Sequence, residues 1–559
     1  MYLEVIERYS LLFLKYIIFY TYFYIFGQFI FSKILNFVAE KKKINNIFYI
    51  KSEYLFPLIG IVFIGNILII FNFFFPLKYS NILLTLIFIL SLSSQKGFNL
   101  NFKKFLIFEN IFSYIFIPGI LIISTYDTAF NFDAGYYSIP NQSWLRESNI
   151  IIGIVNIYWE LGILSITEYI SAALWFDSSF VLLHLYNIYF IHFFYLLLKE
   201  FIFNKNEYSL MNISLFLLFF SIFDNFGFGG GRNGYVYIEG VTKQDVPIGI
   251  LFWFLSIVIL KKIIDKSFRE YEVLIISLLC FFVYEIKLSG VLIMFIYFLL
   301  LLFLIKNNSI SIKRILFLNI PLSIFLISWL SKSFFTTGCF VYPLDFTCLN
   351  RFEWYISGST LDYATIAKAQ SQPYDFSIPF REWVIQSGTH EVRKQVFINF
   401  IISLLILYIL KLCFFNKKKY EKNITILCFS YILINLLYLF FFGPIARYFI
   451  GICLFIVSLL GIYAGKPKFQ ISETFKYSFI IFSIILLVKS TSYLSLMQNN
   501  EFKIFDPRIN QEIEYVPISL NWVTPRSQDL QCWAKIYCTP VNENIVFIKK
   551  GNFITAFKH

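Results

Sequence analysis

The chain reads as an all-α polytopic membrane protein, and three observations carry that reading. Of its 559 residues, 58% are hydrophobic and only 14% charged, against about 25% charged in an ordinary soluble protein. Apolar runs of roughly 17–25 residues, each long enough to cross a bilayer as a helix, recur from end to end. Every second loop between these runs is crowded with lysine, while the intervening loops are long, aromatic and mixed in charge. Helix is the form that lipid permits, because nothing in the bilayer core satisfies backbone polar groups except the chain itself. A barrel would need short alternating segments, and runs such as 288–305 do not alternate.

The apolar periodicity predicts about fourteen transmembrane helices. They are expected at 10–34, 55–77, 80–95, 105–124, 179–199, 210–224, 247–261, 272–286, 288–305, 315–331, 396–413, 423–442, 446–464 and 476–490. One set of loops holds Lys41–Lys43 and Lys51; Lys96, Lys103 and Lys104; Lys199 and Lys205; and Lys261, Lys262, Lys266 and Arg269. The same set continues with Lys306, Lys313 and Arg314; Lys417–Lys419 and Lys422; and Lys466 and Lys468. Positive residues mark the cytoplasmic side, so both termini are expected outside. The net charge of +13 is thus topological and does not point to nucleic acid.

Three units follow. Residues 1–104 form N-terminal transmembrane helices, 105–490 a transmembrane core, and 491–559 a small extracytoplasmic tail with strand-like stretches at 544–549 and 553–557. The core carries long outer loops at 124–178, 224–246 and 331–395, and loops of that length usually carry function. Within the first of them, 156–174 is expected to lie as amphipathic helix on the membrane surface. No phosphate loop of the ATP-binding kind is present, which argues against an ATP-driven pump.

The cysteines agree with this sidedness. Cys339 and Cys348 share one outer loop, and Cys532 and Cys538 lie in the tail. Two close pairs on the oxidising side read as local disulfides, with a metal site at the second pair as the alternative.

Candidate chemistry falls on the same side. The first outer loop contains Asp127, Asp133, Arg146, Glu147, Glu160, Glu168 and Asp177. Asp133 stands out because a small turn, Ala134-Gly135, follows it, and then Tyr136 and Tyr137 offer faces for a sugar. A carboxylate there can accept a proton from a sugar hydroxyl or hold a divalent cation; ordinary solvated loop charges are the plainer alternative. Lys287 in YEIKLSG and Arg447 in GPIARY sit in tight turns at the outer face, and Arg232 follows GFGGG. Cations near the hydrocarbon boundary suit the phosphate of a lipid-linked sugar, although anchoring by snorkelling explains single residues equally well. The 331–395 loop, with Asp345, Arg351, Trp354 and Trp383, suits a cover or an acceptor groove.

In their order, these segments resemble those of bacterial polytopic glycosyltransferases of the GT-C type, which use polyprenyl-phosphate-linked sugars. The resemblance rests on Asp133, Gly135, Tyr137, Asn156 and Gly162, then IKLSG at 286–290, TGCFVYPLDFTC at 337–348, GPIARY at 443–448 and the CW…C tail at 532–538. It spans about residues 125–559, and a histidine expected after the acid is replaced by tyrosine. The resemblance implies a catalytic acid at Asp133 and basic residues at Lys287 and Arg447 that hold the lipid phosphate. It further implies transfer of a sugar from a polyprenyl-phosphate donor to an envelope glycan or lipid, on the outer face of the bacterial cytoplasmic membrane. Two alternatives remain: an O-antigen polymerase or ligase, and a transporter or flippase of lipid-linked sugars. Charges at the outer rim and the absence of a visible repeat make the last the weaker.

Overall fold

A computed structural model describes residues 2–40, 44–94, 108–123, 130, 132–175, 180–204, 207–224, 243–307, 309–355, 358, 360, 361, 363, 365, 374, 377–388, 391–418, 420, 422–442, 446–468, 513–518, 520–526, 531–540 and 545–558. Among these, eight helices are long and apolar enough to cross a membrane. They are Val5–Phe37, Ser52–Phe74, Leu77–Ser94, Val181–Ile202, Asp245–Asp265, Leu288–Lys306, Ile320–Thr337 and Lys422–Phe442. Shorter apolar helices occupy Phe112–Ile123, Tyr208–Ser221, Ile398–Phe414 and Arg447–Ile462, and a further helix runs from Glu270 to Ile286. The chain is therefore a helical membrane protein. Each expected span up to residue 464 coincides with one of these helices, while 476–490 lies outside the described residues.

Lipid tails are as apolar as leucine, so burial alone does not hold such helices together; close packing and interhelical hydrogen bonds do. The Asp245–Asp265 helix is almost entirely buried and is tied on two sides. Trp253 donates to Ser458 Oγ at 2.7 Å, and Ser256 pairs with Tyr431 at 2.9 Å. Asn212 donates to the carbonyls of Ala464 and Gly465 at 2.9 and 3.1 Å. On the other flank the Tyr16 hydroxyl meets His192 Nδ1 at 2.7 Å, and His192 Nε2 meets the Ser113 carbonyl at 2.8 Å.

The lysine-rich loops contact one another. Tyr49 donates to Asp265 at 2.6 Å, Lys261 pairs with Glu207 at 3.0 Å, and Lys262 pairs with Glu272 at 2.6 Å. Arg314 reaches both Glu270, at 2.9 Å, and the Val38 carbonyl, at 3.3 Å. Strand Phe415–Lys417 runs antiparallel to Ala464–Pro467.

The loops of the other set build a layer of their own. Its first segment differs from the expectation of surface helices: residues 154–156 and 159–163 are tight 3-10 turns, and Ile166–Ala173 is a short buried helix. The reason is that neighbouring segments cover it. Two tail strands, Ile545–Lys550 and Phe553–Lys558, form an antiparallel hairpin that docks on the first loop. The Ile152 N–H donates to the Ile554 carbonyl and the Ala556 N–H donates to the Ile152 carbonyl, both at 2.9 Å. Trp522 lies parallel to Phe547, with ring centroids 3.9 Å apart, and touches Trp144 at 5.2 Å. Cys339 is bonded to Cys348 and Cys532 to Cys538.

Asn156 joins three outer segments, donating to the Ala556 carbonyl at 2.8 Å and the Trp354 carbonyl at 3.1 Å. Asn156→Ala strands both carbonyls in a buried place, a loss of about 1–3 kcal/mol. Soluble protease is expected to cut the 513–558 tail faster in this variant, with the far-UV circular dichroism of the helices unchanged. Equal cleavage rates would show that the layer does not depend on this residue.

Candidate charge site at the loop junction

The site is assembled around a short stretch of chain, Lys243-Gln244-Asp245, where the third residue begins the buried Asp245–Asp265 helix. A carboxylate suits a helix N-terminus, because the free backbone N–H groups there favour negative charge. Asp245 is only 5% exposed, so its charge requires partners. It has two: the Lys287 ammonium bonds Oδ1, and Arg447 Nε lies 3.4 Å from Oδ2. Both cations also face the Tyr448 ring, with Lys287 at 4.6 Å and Arg447 at 5.5 Å from its centroid. The cations themselves are half-exposed, so the cluster is sealed on the Asp245 side and open on the other.

Lys243 forms an ion pair with Asp133. Gln244 bonds the Thr167 hydroxyl. The 132–175 segment is therefore fixed to the same short stretch that gathers Lys287 and Arg447. Asp133, Lys287 and Arg447, distant in sequence, share one neighbourhood through Lys243 and Asp245.

Glu160 belongs to it as well. Burial pushes its carboxyl up to about 7, and the negative charge of Asp133 adds to the effect; a hydrogen bond from Tyr137 and the charges of Lys243 and Lys287 oppose it. Burial likewise raises the Tyr137 hydroxyl well above its ordinary value, helped by the charges of Glu160 and Asp133. Tyr137 thus serves the carboxylate and packs beside the Trp144–Trp522 cluster. Deeper in the layer, Glu168 accepts from Gln142 at 2.7 Å, and burial pushes it up to about 8. Arg232 lies outside the described residues.

A divalent cation at Asp133 fits these surroundings poorly. Among the described residues no three His, Cys, Asp or Glu side chains are grouped as a metal site. Lys243 occupies Asp133, and Lys287 and Arg447 occupy Asp245. Positive charge is already present where a metal would add more.

Asp133, Tyr137, Lys287 and Arg447 are candidates from sequence, with Glu160 one acid among several and Tyr448 the last residue of GPIARY. Lys243 and Asp245 are added by the structure. A signal existed for Asp245: it is a lone carboxylate at the head of an apolar run, two residues after a lysine.

The pattern residues around Asp133 also acquire physical roles. The Gly135 carbonyl accepts the backbone N–H groups of Cys532 and Trp533, both at 3.0 Å. A side chain at Gly135 would begin 2.6 Å from the Trp533 ring, and one at Gly162 would begin 2.6 Å from the Tyr342 ring. These glycines are contact surfaces for the tail and for the disulfide loop.

The family model described as a domain of unknown function (DUF8201) matches residues 10–454, well over half of the chain. The chain belongs to the DUF8201 family. No curated protein and no solved structure matches it. The matched region contains every member of the charge site, from Asp133 to Tyr448, whereas the tail strands lie beyond it.

Gly135→Val is expected to displace Trp533 and loosen the tail from the first loop, since overpacking a fitted contact costs about 1–3 kcal/mol. A lowered thermal midpoint in detergent, together with faster labelling of the cysteine pair after mild reduction, would report it. An unaltered midpoint would mean that the Trp533 contact is dispensable.

Proposed function

We propose that this protein is an integral-membrane glycosyltransferase of the GT-C type, moving a sugar from a polyprenyl-phosphate donor to an envelope glycan or lipid. In this reading the chain makes fourteen spans in the bacterial cytoplasmic membrane, both termini face outward, and the charge site opens on the outer face. The observation that carries the reading is the gathering of cations and partly exposed acids at one junction: Lys287 and Arg447 on Asp245, and Asp133 with Glu160 beside Lys243. A lipid-linked phosphate needs cations at the hydrocarbon boundary, and an acceptor hydroxyl needs a nearby base.

The roles follow from the surroundings of each group. Lys287 and Arg447, open on one side, bind the donor phosphate and stabilise the negative charge that grows on it as the anomeric C–O bond breaks. Asp133, already held by Lys243, orients the acceptor hydroxyl. Burial disfavours the charged form of Glu160, so it takes the hydroxyl proton. The acceptor oxygen then bonds to the anomeric carbon, and the lipid phosphate leaves.

Transfer can be measured in proteoliposomes supplied with a panel of polyprenyl-phosphate hexoses and pentoses and with envelope glycan acceptors. Asp133→Asn is expected to reduce turnover by about 100-fold or more without loss of membrane insertion. Lys287→Ala and Arg447→Ala are expected to raise the KM for donor. Wild-type turnover in all three variants would overturn the reading.

The pH profile supplies a separate check. A base works when deprotonated, so kcat/KM is expected to rise with pH through the region near 7, the value to which Glu160 is pushed, and to be lost below it. Glu160→Gln is expected to remove that rise along with most of the activity. A rise that survives the substitution would transfer the role of base to another group.

A further inference from the structure

Beside the charge site runs a row of aromatic side chains that the roles above do not use. Tyr136 meets Tyr158, Tyr158 meets Trp159, and Trp159 meets Tyr363, each pair with ring centroids 5.2 Å apart. The interplanar angles are 85°, 47° and 65°, so the rings do not close on one another as a parallel stack would. All four are half-buried, and Phe132 continues the row beyond Tyr136 at 5.6 Å. Interior aromatics of the same layer differ: Trp144 and Trp522 are about 1% exposed.

The row follows the charges along its length. Tyr136 adjoins Asp133 in sequence, and the Glu160 charge bears on Tyr136, Tyr158 and Tyr363 alike. At its far end Tyr363 lies within the influence of Tyr448 and Lys287 as well. Two elements of the outer layer hold the row in place. Tyr158 and Trp159 belong to the turn that Asn156 anchors, and Tyr363 packs against Tyr342 of the disulfide loop at 5.8 Å.

Flat apolar faces interleaved with carboxylates and hydroxyls match one class of ligand well. A sugar ring has an apolar C–H face for the aromatic and a rim of hydroxyls for the acids. A purely apolar ligand would leave the polar groups of Asp133 and Glu160 unsolvated. Aromatic lining with a few placed polar groups is the usual composition of a small-molecule site, and here the row is longer than a single ring contact.

We propose that the row Tyr136–Tyr158–Trp159–Tyr363 is a subsite for an uncharged glycan, taking at least two sugar rings, and that it presents the acceptor to the charge site. The inference rests on the glycosyltransferase reading for the word acceptor alone, since glycan binding itself does not require transfer.

The test is direct binding to the full-length protein in detergent, followed by saturation-transfer difference NMR. The probes are a panel of defined neutral mono-, di- and tetrasaccharides of glucose, galactose, mannose and N-acetylhexosamines. The expected result is binding of at least one tetrasaccharide, more tightly than the corresponding monosaccharide. Trp159→Ala and Tyr363→Ala are expected to weaken it on the order of tenfold. Trp159→Phe, which keeps a ring, is expected to retain most of the affinity and guards against a folding defect. No binding by any probe, or affinity indifferent to Trp159→Ala and Tyr363→Ala, would overturn the proposal. Binding in the absence of any transfer would leave the subsite standing and count against the glycosyltransferase reading alone.

Discussion

A buried carboxylate at the head of a buried helix is the constraint on which the long-loop half of this protein depends. Asp245 sits where water is scarce, and an ion there is tolerated only if opposite charge is brought to it. Lys287 and Arg447 meet that need. They come from two turns that are far apart in sequence, so satisfying one side chain fixes three helix ends at one point. The adjacent Lys243 extends the effect by holding Asp133, and through it the start of the first outer loop.

This arrangement separates a buried, fully engaged charge from partly exposed ones. The sealed side of the cluster belongs to Asp245, which is fully engaged. The open side belongs to Lys287, Arg447, Asp133 and Glu160, whose partial exposure leaves room for a ligand. Uneven solvation then divides the two acids. Asp133 has a cation in contact, whereas Glu160 is half-buried among tyrosines beside another negative charge. Environments of this kind push carboxylates apart in basicity and allow them different tasks.

The outer layer supports the site by contact with itself. Asn156 collects the third loop and the tail, Gly135 receives the Cys532–Cys538 loop, and Gly162 receives Tyr342. Each of these residues is small or amide-bearing because another segment lies directly upon it. The turns at 154–163 are for the same reason part of a packed layer and do not lie as helices on a lipid surface.

Much of this was legible in the sequence. Hydropathy marks helices because lipid excludes every other way of satisfying a single spanning segment, so helix positions from 10 to 464 were readable one run at a time. Charge sorting divided the loops into two sets, and the members of each set contact their own kind. Lys287 and Arg447 were readable as cations near the hydrocarbon boundary, and Asp133 as an acid followed by a small turn and two tyrosines. Asp245 and Lys243 left only a local charge pattern, because an acid at the head of an apolar run looks like an ordinary loop charge until its neighbours are known. The row of aromatics was invisible for a related reason: tyrosine and phenylalanine are abundant throughout, and only packing distinguishes those with an open face. Sequence by itself determined the helical membrane architecture, since that follows from local hydrophobicity. Tertiary structure alone decided which charges meet, since ion pairing in a low-dielectric setting depends on distances between segments that no local pattern encodes.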